Sequence, residues 1–180
     1  MKFTIALICL VLISCQQNLN KASDTKSSEI NRSISYGDVM RKVENMPSTC
    51  DILTLDNLEK WYGSDAIQLM SKPNSMGLEN SCNVAFFVGG KNTNVGIYLQ
   101  DFKDQIALKE ELSRHLSQDM ERIDGLGNIA FWLHSPGIQE ALIVFSDGVK
   151  ISVSFPARDF LTQEQHREVG LSLMRAYLQS

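Results

Sequence analysis

Between Val149 and Phe155 the chain alternates strictly. Val149, Ile151, Val153 and Phe155 are apolar, and Lys150, Ser152 and Ser154 between them are polar. That two-residue period predicts a strand with one buried and one wet face. Val95, Ile97 and Leu99 alternate with Gly96, Tyr98 and Gln100 in the same way. Shorter apolar runs predict further strands at residues 66–70, 83–88, 129–133 and 141–145. Asp147-Gly148 is a two-residue hairpin signal, and residues 89–93, Gly-Gly-Lys-Asn-Thr, are turn chemistry.

Elsewhere the period lengthens. Leu108, Leu112, Leu116 and Met120 stand four apart, with Ile106 on the preceding turn and Lys109, Glu110, Arg114 and Gln118 off that stripe. This spacing predicts an amphipathic helix from Lys103 to about Met120. A last helix is expected from about Gln163, opened by a capping box of Thr162 and Gln165. Upstream, Val39, Met40 and Val43 share one helical face over residues 36–46, and Pro47 stops the run. Thr54 is an N-cap, Leu53 can staple onto Leu58, and Gly63 is a natural stop after Trp61-Tyr62. The pattern therefore reads as two short helices followed twice by three strands and a helix. The expected class is α+β: an antiparallel sheet of about five to six strands, packed by two long helices, with short N-terminal helices.

The first residues change the setting. Lys2 precedes an apolar stretch of 12 residues, Phe3 to Ser14. A membrane span needs roughly 20 apolar residues, so this stretch fits a signal-peptide core. It ends in Leu12-Ile13-Ser14-Cys15, which resembles the lipobox of bacterial lipoproteins. The resemblance implies cleavage before Cys15 and a diacylglycerol on its sulfur, an anchor of two or three acyl chains in the lipid bilayer. Gln16 follows where an Asp would favour inner-membrane retention, and no acidic run marks surface export. The expectation is an outer-membrane anchor facing the periplasm. Residues 1–14 then form the signal, the polar residues 15–35 a flexible tether, and residues 36–180 a single domain.

Loss of residues 1–14 removes Lys2 and no acid, leaving 16 Lys and Arg against 21 Asp and Glu, a formal charge of −5. That balance argues against nucleic acid, which rewards clustered cations, and there is no polybasic patch for anionic lipid. Of the four cysteines, Cys9 leaves with the signal and Cys15 carries lipid. Cys50 and Cys82 remain in a compartment where disulfides persist, and a Cys50–Cys82 bond is the first reading. Two separate buried thiols are the alternative. No CxxC or HExxH accompanies them, so no metal or other cofactor is expected there. Cysteine catalysis would need a base, and His115, His134 or His166 would have to supply it.

Three stretches carry a wider resemblance: Cys50-Asp-Ile-Leu-Thr54, the Trp61-Tyr62-Gly63 helix end, and Asp124-Gly-Leu-Gly-Asn128-Ile-Ala-Phe-Trp132. They are similar to small bacterial lipoproteins with a Cys-x-Leu-Leu-Thr opening and a Gly-Leu-Gly-Asp-x-Ala-aromatic segment, related to the photosystem PsbP-like domain. The resemblance spans about residues 48–178, maps the family's two cysteines onto Cys50 and Cys82, and brings no catalytic residues. Asn128 stands where the family has Asp.

Several sharper features have plainer readings. Gly125 and Gly127 lie between a helix and a strand, the reverse of a dinucleotide loop, and read as a turn. Glu111, His115 and Asp119 line one helical face at four-residue steps and could hold a metal, but a solvated stripe is the commoner outcome. Trp61, Tyr62, Phe131 and Trp132 read as core before ligand groove. No GxSxG is present. The expected function is a non-catalytic binding or accessory lipoprotein meeting an unknown envelope protein or small ligand. The alternative is an enzyme or metal-dependent module built from distant residues, with His134 or the Glu111/His115/Asp119 stripe.

Overall fold

Seven strands form one sheet, and their register decides which side chains share a face. The computed structural model describes residues 40–180 other than 64, 65, 76, 78, 79, 119 and 157–159. The segments expected to be signal and tether, with Cys15, lie outside the described residues. The strands are β1 Ile67–Leu69, β2 Cys82–Val88, β3 Lys91–Asp101, β4 Glu121–Ile123, β5 Ile129–Ser135, β6 Gln139–Ser146 and β7 Val149–Pro156. The helices are α1 Leu55–Tyr62, α2 Gln105–Leu116 and α3 Gln163–Leu178, and 3-10 turns occupy Val43–Asn45 and Thr49–Asp51. All pairings are antiparallel, in the order β1-β2-β3-β7-β6-β5-β4. The first three strands form a meander, α2 carries the chain to the far edge, and the last four strands return to pair β7 with β3. Among the described residues no helix is long and apolar enough to cross a membrane.

The Asp147-Gly148 turn has both residues at positive φ, 48° and 83°, the mirror-image turn that matches strand twist. Asn128 Oδ1 accepts the Asp147 N–H at 2.9 Å, so the Gly-Leu-Gly-Asn segment braces this hairpin and forms a turn. Thr54 caps α1 by accepting from the Asn57 N–H, and Leu53 and Leu58 are both fully buried. The Thr162–Gln165 capping box opens α3.

One face of the sheet is mostly apolar. Register places Val84 beside Val95, Ile97 beside Val153, Leu142 beside Val153, and Trp132 beside Leu142. These side chains are buried with Leu58 of α1 and with Val169, Leu173 and Met174 of α3. Tyr177 of α3 donates to the Pro47 carbonyl at 2.8 Å, and burial pushes its hydroxyl up to about 12. The opposite face is only partly roofed. There α2 lies over Phe131 and Phe145, with His115 against both rings at 6.2 and 5.4 Å.

Three expectations are corrected. The sheet has seven strands, not five to six; the additional β4 is three residues long with only Ile123 buried, too short to show alternation. Where a helix was expected over residues 36–46, the described part holds only the Val43–Asn45 turn. Lys42 is extended, the Arg41 N–H donates to the Asp147 carbonyl and Lys42 Nζ to the Phe102 carbonyl. Those partners from elsewhere in the fold replace helical ones. Helix α2 ends at Leu116, short of Met120, because the chain must turn into β4 at Glu121. Its buried positions are Leu108, Leu112 and His115, and Ile106 is 69% exposed.

Candidate functional site

The partly roofed face contains a groove. Because β7 alternates, burial of Val149, Ile151, Val153 and Phe155 on one face places Lys150, Ser152 and Ser154 on the other. Register sets Tyr98 beside Ser152 and Gly96 beside Ser154. It also sets Ile143 beside Ser152 and Ala141 beside Ser154. Leu133 and Ser135 of β5, Gln139 at the start of β6, and Arg114, His115 and Gln118 at the end of α2 complete the walls. Together they enclose about 500 Å³. A cavity of that size falls among those that hold small ligands.

Tyr98 is fixed by its neighbour. A Cβ built on Gly96 would lie 2.6 Å from the Tyr98 ring, so the ring covers bare backbone. The Tyr98 hydroxyl accepts from Asn83 Nδ2 at 3.4 Å.

At the other end of the groove one carboxylate serves two cations. Glu111 Oε1 accepts from Lys150 Nζ at 2.5 Å and from Arg114 Nη2 at 2.7 Å, and Oε2 accepts from Arg114 Nε at 3.1 Å. The Arg114 hydrogen bonds, with Lys150 beyond them and burial opposing, hold the Glu111 carboxyl down at about 2. His115 Nδ1 lies 2.9 Å from the Glu111 carbonyl oxygen. A carbonyl only accepts, so Nδ1 carries the proton and Nε2 presents a lone pair. Burial pushes this imidazole below its usual range, which keeps it neutral at pH 7.

A second polar cluster lies on the apolar face beside α3. Buried Glu140 accepts from His134 Nδ1 at 3.0 Å through Oε1 and from His166 Nδ1 at 2.6 Å through Oε2. The Phe155 ring stacks on His166 at 4.8 Å. The His134 side chain remains 41% exposed. A cleft of about 620 Å³ lies between α1 and α3, where Lys60, Glu168 and Arg175 bring both signs of charge beside Trp61 and Leu171.

The disulfide is present: Cys50 in the 3-10 turn is joined to Cys82 at the head of β2, with a Cα–Cα distance of 5.1 Å. Asn80 reinforces the same junction. Its carbonyl accepts the Thr49 hydroxyl at 2.7 Å, and its amide donates to the carbonyls of Val43 and Met46.

The Glu111/His115/Asp119 stripe is not a solvated one where it is described. Glu111 is half-buried and His115 buried, both turned toward the sheet, and Asp119 lies outside the described residues. The reason is that Lys150 and the Phe131 and Phe145 rings offer partners that water would otherwise supply. Among the described residues no group of three or more His, Cys, Asp or Glu side chains is placed to hold a metal ion. Phe131 is buried on the α2 side of the sheet, Trp132 belongs to the main core, and Trp61 and Tyr62 pack against that core.

Sequence reasoning did not single out Tyr98, Lys150, Ser152 and Ser154 as a site. Their signal was present as the wet face of two strands that turn out to be neighbours at the sheet centre. A wet face there needs an opening in the roof. No known family model, no curated protein and no solved structure matches this chain.

Proposed function

We propose that this chain is a lipid-anchored envelope lipoprotein, held to the outer membrane through acylated Cys15 and facing the periplasm. Its folded domain is a non-catalytic binding or accessory module that presents the sheet groove to an envelope partner or small ligand. The observation that carries the binding reading is the groove itself: hydroxyls, amides and two cations around about 500 Å³ over the central strands. The Cys50–Cys82 bond supports an oxidising compartment. For the anchor, mass spectrometry and fractionation of Cys15→Ala are expected to show loss of acylation and release from membranes. Unchanged membrane retention would overturn it. For the module, photo-crosslinking from residue 152 in intact cells is expected to trap a partner or ligand that a probe on the exposed Ile106 does not.

One observation favours a catalytic reading second. His134 is half exposed and oriented by a buried carboxylate, the arrangement of a general base. That reading requires an activity that His134→Ala abolishes while leaving thermal unfolding unchanged.

A further inference from the structure

The groove has more donors than its own residues use. A lysine ammonium carries three N–H groups and a guanidinium five. Lys150, whose side chain is only 16% exposed, spends one on Glu111, and Arg114 spends two there. The remaining N–H groups of both have no acceptor among the described residues. Glu111 balances one of the two cations, and both of its oxygens are already occupied. No carboxylate is among the described residues lining the cavity. A chain that is acidic overall therefore holds a locally positive, partly desolvated groove, and charge-assisted bonds there are the strong ones.

Charge alone does not describe the lining. Tyr98, Ser152 and Ser154 carry hydroxyls along the floor, each able to donate and accept. Gln118 and Gln139 add side-chain amides to the same lining. A bare anion such as chloride would use the cations and leave these groups unmatched. A ligand with an oxyanion at one end and hydroxyls at the other matches both parts of the wall.

We propose that the groove binds a small hydroxylated oxyanion, a sugar acid or a sugar phosphate, with its anionic group on Lys150 and Arg114 and its hydroxyls on Ser152 and Ser154. The inference rests on the binding-module reading above and gives that module its ligand class. Glucuronate and glucose 6-phosphate share this chemistry and separate a carboxylate from a phosphate head; glucose is the neutral control.

The test is a titration of the full mature chain with each of the three compounds at constant ionic strength, followed by amide NMR shifts. At least one anion is expected to give saturable shifts around Lys150, Ser152 and Tyr98, with glucose far weaker. Lys150→Gln and Arg114→Gln are each expected to weaken that anion about tenfold or more, as loss of a charge-assisted bond does. Arg114, 59% exposed, is the variant that keeps the fold if Lys150→Gln does not. Equal binding of glucose and the anions, or anion binding unchanged in Arg114→Gln, overturns the oxyanion assignment while leaving a binding groove. Absence of saturable shifts with all three overturns the ligand class. The crosslinking from residue 152 in cells then decides separately whether the module reading stands.

Discussion

The ring of Tyr98 occupies the space that any side chain at residue 96 would need, within 2.6 Å of an ideal Gly96 Cβ. The two residues share a face of β3, and the neighbouring Ser152 and Ser154 of β7 extend it. Gly96→Ala is expected to cost about 1 kcal/mol by crowding the ring. In a Tyr98→Ala background the same change should become neutral or slightly stabilising, because alanine lowers the entropy of the unfolded chain. Urea unfolding of the four proteins in this cycle measures the coupling, expected at about 1 kcal/mol. Additive effects would show that the ring does not depend on the glycine.

Acid should weaken the domain in two stages. His115 is buried with its pKa pushed down, so the unfolded chain takes up a proton first. Stability therefore begins to fall as pH drops below the ordinary histidine value of about 6.5. Glu111 has the opposite chemistry and the same sign. Its carboxyl is held at about 2 against an ordinary 4.5, so its contribution is complete above 4.5 and is lost as pH falls toward 2. The second stage is worth up to ~3 kcal/mol, since each tenfold change in proton affinity corresponds to about 1.4 kcal/mol. Urea midpoints at pH 7.5, 5.5 and 3, taken as ~2-unit steps across both windows, resolve the stages. His115→Leu is expected to flatten the upper stage and Glu111→Gln the lower one. Unchanged slopes in either variant would remove that group from the account.

Glu140 joins strand β6 to helix α3 through His166, and its carboxylate is buried. Removing it strands two imidazole donors, one of them buried beneath Phe155. Glu140→Ala is expected to cost about 1–3 kcal/mol, the range for leaving a buried donor without its acceptor. Glu140→Gln keeps one acceptor oxygen and should lose less. Thermal or urea unfolding separates the two variants, and a loss below about 1 kcal/mol in Glu140→Ala would mean that water replaces the carboxylate.

Much of this architecture was legible because it is local. The alternation from Val149 to Phe155, the Asp147-Gly148 turn and the Thr54 and Thr162 caps each specify their element within a few residues. Strand β4 was not legible, since three residues cannot display a period and Arg167 of α3 fixes it through Glu121 from 46 residues away. The outward turn of Ile106 and the inward turn of His115 depend on where α2 meets the Phe131 and Phe145 rings. The groove is less local still. Its floor alternates visibly along β3 and β7, but only the return of the chain from β4 brings those two strands together. The His134–Glu140–His166 cluster spans a strand pair and a helix, and no spacing announces it.

The Cys50–Cys82 bond closes a loop with a sequence separation of 32. In the chain-entropy account a loop of that size stabilises by about 3–4 kcal/mol. Part of the same junction is held without it, by the Thr49 and Asn80 hydrogen bonds and by burial of Cys82 against the core. The Cys50→Ala/Cys82→Ala protein is therefore expected to fold, with its urea midpoint lowered in proportion to that loss and its slope changed little. Reduction of the wild-type protein should reproduce the shift, and reduction of the double variant should do nothing. Cys50→Ala alone is expected to leave Cys82 as a buried thiol, labelled only on unfolding, since its 1% exposure shields it. A double variant as stable as the oxidised protein would show that Asn80 and the core hold the turn to β2 unaided.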